Sequence, residues 1–137
     1  MKITCKYTYP ETGTRNGRVY SREVLEKAFN NPVFKESNEN KAIPVKFEND
    51  FIGLASAQLD GTTVTVDADV ANTAYMEVLK TAPESIGFTL AGHGNMIYED
   101  ENGLNVITDF TIDSVLLSSR AAVDCQTTIY VEDQHDR

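Results

Sequence analysis

The chain has 137 residues, of which 41% are hydrophobic and 24% charged, values typical of one soluble globular domain spanning residues 1–137. The net charge of −9 argues against a nucleic-acid groove, which neutralises phosphates with Lys and Arg, and no apolar run approaches the ~20 residues of a membrane span. The first residues contain no apolar stretch typical of a secretion signal, so we expect an intracellular protein.

The N-terminal part of the chain predicts one strand and one helix. Residues 2 to 9 alternate in polarity, which is typical of a strand. One face of this strand carries Ile3, Cys5, Tyr7 and Tyr9. Ser21 is a typical N-cap, followed by apolar residues at helical spacing through Phe29, and Asn30-Asn31-Pro32 ends this helix. The polar residues 35 to 42 predict an exposed, mobile loop.

The middle of the chain predicts a hairpin. Residues 43–47 and 51–59 are expected to be strands, and Asp60-Gly61 is a strong hairpin signal. The returning strand alternates through Val64, Val66, Ala68 and Val70. Thr73 is placed to cap a second short helix that continues through Leu79.

The C-terminal part predicts further strands and a second hairpin turn at Asn102-Gly103. The strands expected here span residues 86–91, 95–98, 104–110, 112–117 and 127–131. Together the elements predict an α+β fold, a mostly antiparallel, partly closed β-barrel with two short helices. We expect its core to include Val64, Val66, Ile86, Phe88, Ile112 and Leu116.

The sequence predicts neither a cofactor nor a metal ion. Residues 87–94, GFTLAGHG, approach the phosphate-loop pattern, but His93 and Gly94 stand where that loop needs Lys and a hydroxyl. The acidic turn at residues 99–103 fails the spacing of a calcium loop. The two histidines and two cysteines lack zinc-binding spacing, and Cys5 and Cys125 are expected to be reduced packing residues.

Ser85 is the candidate nucleophile. It lies in the stretch Ser85-Ile86-Gly87-Phe88, where the glycine allows a ligand to approach the backbone. A serine hydroxyl attacks only when a base takes its proton. On spacing alone, Ser85 is a turn residue between a helix and a strand.

Four segments resemble, in the same order, the motifs of tailed-phage prohead proteases. Residues 16–29, NGRVYSREVLEKAF, are similar to the N-terminal signature, and residues 43–70 are similar to the next block, with its I-G step at Ile52-Gly53. Residues 85–88 resemble the nucleophile motif S-[hydrophobic]-G-F, and residues 107–124 resemble the closing motif. The resemblance implies a β-barrel with flanking helices, akin to herpesvirus assembly proteases, and a role in building viral heads.

The chain departs from this family at the catalytic base. Where active members carry a histidine before the I-G step, this sequence has Asn49, and an amide does not accept a serine proton at neutral pH. The closing motif also lacks its usual proline at Ser119-Arg120-Ala121. His93 is the alternative base, but it lies eight residues after Ser85, roughly 26 Å along a strand. Only a reversal within residues 91–94, or a histidine from a neighbouring subunit, closes that gap.

The resemblance and its departures lead to one expectation and two alternatives. We expect a phage head or capsid assembly protein without catalysis, an auxiliary, decoration or scaffold-associated component in the virion and, during assembly, in the host cytoplasm. Its partners are then the major capsid or scaffold protein, bound as a homo-oligomer or on the capsid lattice, with no nucleic acid and no membrane. The first alternative is an active serine-type maturation protease that uses Ser85. The second is a phage β-barrel of unrelated role.

Overall fold

A computed structural model of the protein describes residues 2–14, 16–47, 49–71, 87–118 and 125–130. In chain order its elements are β1 (Lys2–Thr8), β2 (Arg18–Tyr20), α1 (Arg22–Phe29), α2 (Pro32–Glu39), β3 (Ile43–Phe47), β4 (Asp50–Asp60), β5 (Thr63–Val70), β6 (Gly87–Glu99), β7 (Asn105–Ser118) and β8 (Cys125–Tyr130). None of the described helices is long and apolar enough to cross a membrane.

The first strand and the first helix form where the sequence predicts them. The inward face of β1, with the residue that follows it, buries Ile3, Cys5, Tyr7 and Tyr9. Ser21 has an extended backbone, and its hydroxyl accepts a hydrogen bond from the backbone N–H of Val24 at 3.2 Å. This N-cap bond satisfies one of the free amides of the first turn. The helix ends at Asn30 and buries Leu25 and Ala28 against the sheet.

The prediction of a loop over residues 35 to 42 is wrong, because most of this segment belongs to α2. The side-chain oxygen of Asn31 caps the helix by accepting from the backbone N–H of Val33 at 3.0 Å. Pro32 occupies the first turn, where its missing N–H is not needed. Phe34 is buried in the core. The cap and this one buried aromatic residue stabilise the helix. Its other side chains mostly face solvent, which is why the composition of the segment resembles that of a loop.

Asn38 fastens α2 to the sheet. Its amide nitrogen donates to the carbonyl oxygen of Ala57 at 2.9 Å, and its amide oxygen accepts from the N–H of Ala57 at 2.7 Å. β3 pairs with β4 only as far as the pair Ile43–Ala55. The amide of Asn38 therefore makes the two bonds that a neighbouring strand would otherwise make.

The β4–β5 hairpin confirms its prediction. Asp60 pairs with Thr63 across a tight turn in which Gly61 has φ +63°, a left-handed conformation that favours glycine. The pairing continues to Gly53 and Val70 without a shift in register. Alternate residues of β5 therefore all face the core, as expected: Val64, Val66, Ala68 and Val70.

The strands form one mixed sheet in the order β2-β7-β3-β4-β5-β1-β8, with β6 on the other edge of β7. Of the described pairs, β2–β7 and β3–β7 are parallel and the rest antiparallel. Among the described strands, none pairs with the outer edge of β6 or of β8, so no backbone ladder closes the sheet. The α+β class with mostly strands is confirmed, whereas closure into a barrel is not. The described residues contain two helices, of which only α1 was predicted.

β6 and β7 form one long hairpin, where the sequence predicts four shorter strands. The turn at Asn102-Gly103 is confirmed. The register between the two strands shifts three times. At each shift one strand carries an extra residue, a β-bulge, and these residues are Asn95, Thr108 and Asp113. The helix expected from Thr73 lies outside the described residues.

The bulges decide which residues of β7 face the core. The buried apolar residues of this strand are Ile107, Phe110, Ile112, Val115 and Leu117. Strict alternation is broken at Thr108 and at Asp113, where the extra residues lie. Burial of Ile112 and of Phe88 on β6 is confirmed, but Leu116 is only half-buried, so its predicted core position is wrong. Ile86 lies outside the described residues.

Candidate functional site

The beginning of β6 and the β3–β4 turn lie at the same end of β7. Leu116 of β7 pairs with Lys46 on one side and with Thr89 on the other. From this level β3 continues to the turn that holds Asn49, while β6, antiparallel to β7, starts at Gly87. Since one strand separates them, the two chain segments are about 10 Å apart across the sheet, two strand spacings.

Asn49 is described at this end of the sheet, whereas Ser85 lies outside the described residues. Asn49 is an exposed residue of the turn between β3 and β4. Its amide cannot take a proton from a hydroxyl at neutral pH. Ser85 precedes Gly87 by two positions in the chain. The described residues therefore bring together Asn49 and the strand that follows the serine motif.

The I-G step beside this turn forms a bulge. The pairing of β3 with β4 shifts after Val45, so that Ile52 is the extra residue on β4 and is fully buried. A Cβ on Gly53 would overlap the carbonyl oxygen of Asp69 on the neighbouring strand. Packing alone therefore accounts for an apolar residue at Ile52 and for glycine at Gly53.

His93 lies well along β6, on an exposed face. It pairs with Thr111 of β7 and is six residues beyond Gly87, a distance of about 20 Å along an extended strand. β6 continues as a strand from Ala91 to Gly94, so the reversal that would bring His93 back toward the start of β6 is not present in this described segment. Within one chain, His93 is therefore too far from the beginning of β6 to form a hydrogen bond there.

His93 is paired with Asp113, a residue that the sequence did not single out. The ring Nδ1 lies 3.2 Å from the carboxylate Oδ2, and the two side chains are 60% and 57% exposed. Among the described residues, no hydroxyl group is hydrogen-bonded to His93. The two side chains therefore form a solvent-exposed pair on the surface of the β6–β7 hairpin.

A bulge creates this pair. Gly92 is opposite Ile112 while Ala91 is opposite Ser114, which leaves Asp113 as the extra residue. A Cβ on Gly92 would overlap the carbonyl oxygen of Thr111, so the strands approach this closely only at a glycine. A glycine inside a strand pattern was the one signal in the sequence for this feature.

The first residues of β6 are bonded to side chains of β1. The N–H of Phe88 donates to Sγ of Cys5 at 3.4 Å, and the N–H of Leu90 donates to the hydroxyl of Tyr7 at 2.9 Å. Cys5 and Tyr7 point into the core, so this part of β6 lies over the inner side of β1. Cys5 is a buried, reduced thiol, as predicted, and in addition an acceptor. No periodic pattern in the sequence predicts such side-chain-to-backbone bonds.

Within the described part of the chain, no three His, Cys, Asp or Glu side chains are grouped so as to hold a metal ion. Comparisons with models of protein families, with curated proteins and with solved structures find no match. The functional proposal therefore depends on the geometry above and on the motifs of the sequence.

Proposed function

We propose that the protein is a structural or assembly component of tailed-phage heads, built on a prohead-protease-like fold and acting without catalysis. The observation that carries this proposal is the amide of Asn49 at the end of β7 where β6 also begins. In the resembling family this position holds the histidine base. With an amide there, Ser85 lacks the group that would take its proton.

The positions of the motifs support this proposal. Residues 16–29 form the turn before β2, then β2 and α1, and residues 43–70 form β3, β4 and β5. Gly87 and Phe88 of the serine motif open β6, and the closing motif begins in β7. Each motif thus begins or spans a distinct element around one sheet, in the order that the resemblance requires.

The finer proposal for the fold is a partly closed barrel in which β6 closes over β1. The bonds of Phe88 to Cys5 and of Leu90 to Tyr7 support it, because they join an outer strand of the sheet to a strand several places away. Side chains here act in place of a backbone ladder. Such closure would protect β6 from pairing with other chains.

His93 does not replace the missing base in this proposal. It lies about 20 Å from Gly87 along β6, and its ring is held by Asp113 on the exposed face. Loss of the histidine of a serine protease triad lowers kcat by up to ~10⁶. A chain with this defect contributes to a phage head through binding rather than cleavage.

The proposed partners are the major capsid or scaffold protein. The net charge of −9 favours docking against a basic surface, and such docking weakens as salt screens the charges. The strand edges that such partial closure leaves open favour a homo-oligomer or attachment to a repeating capsid lattice. The protein is then located in the virion and, before that, in the host cytoplasm.

Co-sedimentation with assembled capsid shells tests this function. We expect the protein to sediment with shells at low salt, to bind less at high salt, and to be present in purified virions at a stoichiometric copy number. The Ser85→Ala variant is the matched control and should bind as the parent does. Absence from virions together with no binding to shells at any salt concentration would rule the proposal out in favour of an unrelated role.

The alternative function is a maturation protease that cleaves scaffold or capsid protein through Ser85. The serine motif, whose last two residues open β6, favours it, with a base supplied by a neighbouring subunit. This alternative predicts cleavage that requires Ser85, which the proposed function does not.

A further inference from the structure

A small pocket of about 50 Å³ opens between the end of β1, the turn before β2, and β6. A water molecule needs roughly 10–15 Å³ of such space, so the pocket has room for a few waters or for one group the size of a carboxylate. Its wall on the β6 side is formed by Thr89 and Leu90. The other lining residues are Tyr7, Tyr9, Thr14, Asn16, Arg18 and Tyr20.

The floor of the pocket is rigid. Tyr7 and Tyr9 are buried, their rings meet edge to face with centroids 5.3 Å apart, and their hydroxyls are 3.3 Å apart. The hydroxyl of Tyr7 is held by the N–H of Leu90 at 2.9 Å. The ring of Tyr20 packs on Tyr9 with a centroid separation of 4.8 Å. The aromatic groups around the pocket are therefore fixed before any ligand arrives.

The turn that carries Asn16 and Arg18 is also fixed. The N–H of Thr14 donates to the carbonyl of Arg18 at 2.8 Å, and the N–H of Arg18 donates to the hydroxyl of Thr14 at 3.3 Å. The carbonyl of Gly17 accepts from the N–H of Asn105 on β7 at 2.8 Å. These bonds hold the backbone of the turn in place, and with it Asn16 and Arg18, which both line the pocket.

The chemistry of the lining is unusual for an acidic protein. Among the described residues, those that line the pocket include no Asp or Glu, while they supply one guanidinium, one amide and five hydroxyls. The whole chain carries a charge of −9. The described salt bridges do not involve Arg18, so its guanidinium is not neutralised within that part of the chain. Guanidinium and hydroxyl donors around a small space are complementary to an oxyanion.

We propose that this pocket binds a carboxylate group, with Arg18 as the charged donor and the hydroxyls of Thr14, Tyr20 and Thr89 as the neutral donors. The volume limits the ligand to the carboxylate end of a larger molecule, either an aspartate or glutamate side chain or the C-terminus of a polypeptide. This inference does not depend on the function proposed above, since it uses neither Ser85 nor Asn49.

Titration followed by ¹H–¹⁵N correlation spectra tests the proposal. Acetate is added to the full chain at constant ionic strength, with chloride as the balancing salt and acetamide as the neutral isostere. We expect saturable shifts of the backbone N–H signals of Gly17, Arg18 and Leu90 with acetate, and no saturable shift with acetamide. Equal responses to acetate and acetamide, or no saturable response to acetate, would overturn the proposal.

Two glutamine variants identify the charge that matters. Arg18→Gln removes the positive charge from a lining residue, while Arg22→Gln removes the same charge from α1, outside the lining. Arg18 is exposed, so its variant is expected to fold, which the dispersion of its spectrum checks directly. Arg18→Gln should weaken acetate binding at least about tenfold, and Arg22→Gln should leave it unchanged. Equal weakening in both variants would mean general electrostatics and no pocket.

Two model compounds then distinguish the sources of the carboxylate. N-acetylglutamate with its α-carboxyl amidated offers only a side-chain carboxylate, and N-acetylglutamine offers only a terminal one. Tighter binding of either compound than of acetate supports the assignment and identifies its source. Binding of neither compound, with acetate alone binding, would contradict the assignment to the end of a larger molecule.

Discussion

The two long hairpins of the sheet follow different rules. β4 and β5 pair without a shift from Asp60 to Gly53, and alternate residues of β5 are buried without exception. β6 and β7 are longer, and their register shifts three times. In the first hairpin the sequence predicts which side chains face the core, and in the second it fails at Leu116.

The difference shows when the two-residue period of a strand predicts correctly which side chains face the core. A bulge adds one residue to one strand, and every side chain beyond it then faces the opposite way. At Asp113 this shift moves Val115 and Leu117 into the core and turns Leu116 partly outward. The same bulge places Asp113 beside His93. The bulges of the second hairpin thus interrupt its regular pairing and place side chains, such as Asp113 beside His93, where strict alternation would not place them.

The largest expected effect distinguishes two adjacent leucines. Leu117→Ala should lower the free energy of unfolding by about 2–5 kcal/mol, since a buried leucine is removed from a packed core. Leu116→Ala should cost less than half as much, because the side chain is only half-buried. Chemical denaturation of both variants measures the difference. A larger loss for Leu116→Ala would mean that β7 alternates regularly from Ile112.

Alanine at two glycines tests the bulge itself. In Gly92→Ala the new Cβ meets the backbone carbonyl of Thr111, which cannot rotate away, so we expect a loss of about 3 kcal/mol. In Gly61→Ala, at the turn of the regular hairpin, the space is open and only the positive φ opposes alanine, at roughly 1–2 kcal/mol. Thermal unfolding compares them. Similar small losses would mean that β6 and β7 do not approach closely at Gly92.

Removal of one hydroxyl tests the contact between the two parts of the sheet. Tyr7→Phe leaves the N–H of Leu90 buried without this acceptor and should cost about 1–3 kcal/mol. Tyr98→Phe, at the exposed far end of β6, is the matched control and should change stability by less than about 0.5 kcal/mol. Hydrogen exchange at Leu90 should accelerate in the first variant. An unchanged exchange rate there would argue against the bond to Tyr7.

The smallest expected effect is at the exposed pair. His93→Ala and Asp113→Asn should each change the free energy of unfolding by less than about 0.5 kcal/mol, because both side chains are largely solvated and such pairs contribute little. Urea denaturation at neutral pH provides the measurement. A loss of more than about 1 kcal/mol in either variant would show that the pair stabilises the bulge.

Local signals in the sequence predict much of the fold. The cap at Ser21 and the turns at Gly61 and Gly103 depend on neighbouring residues, and each is found where it is predicted. α2 was missed because its signals, the cap at Asn31 and one buried aromatic at Phe34, were outweighed by a polar composition. The parallel pairing of β7 with β2 and β3 joins residues far apart in the chain, and no local pattern encodes it.

The candidate site was predicted only in outline. That Asn49 and the start of β6 share one end of β7 follows from the strand order, which spacing along the chain does not predict. The sequence did not predict the His93–Asp113 pair, because the two residues are twenty positions apart and meet only through a bulge in β7. The lining of the Arg18 pocket likewise combines residues from three separate segments.

The proposal that Ser85 has no base to take its proton is tested most directly by a cleavage assay. The pure protein and its Ser85→Ala variant are incubated in parallel with the proposed partners, the scaffold and major capsid proteins, and the fragments are compared by mass spectrometry. We predict no specific fragment that the parent produces and the variant does not. Specific cleavage by the parent that disappears in Ser85→Ala would contradict the claim and establish the protein as a protease with a base other than Asn49.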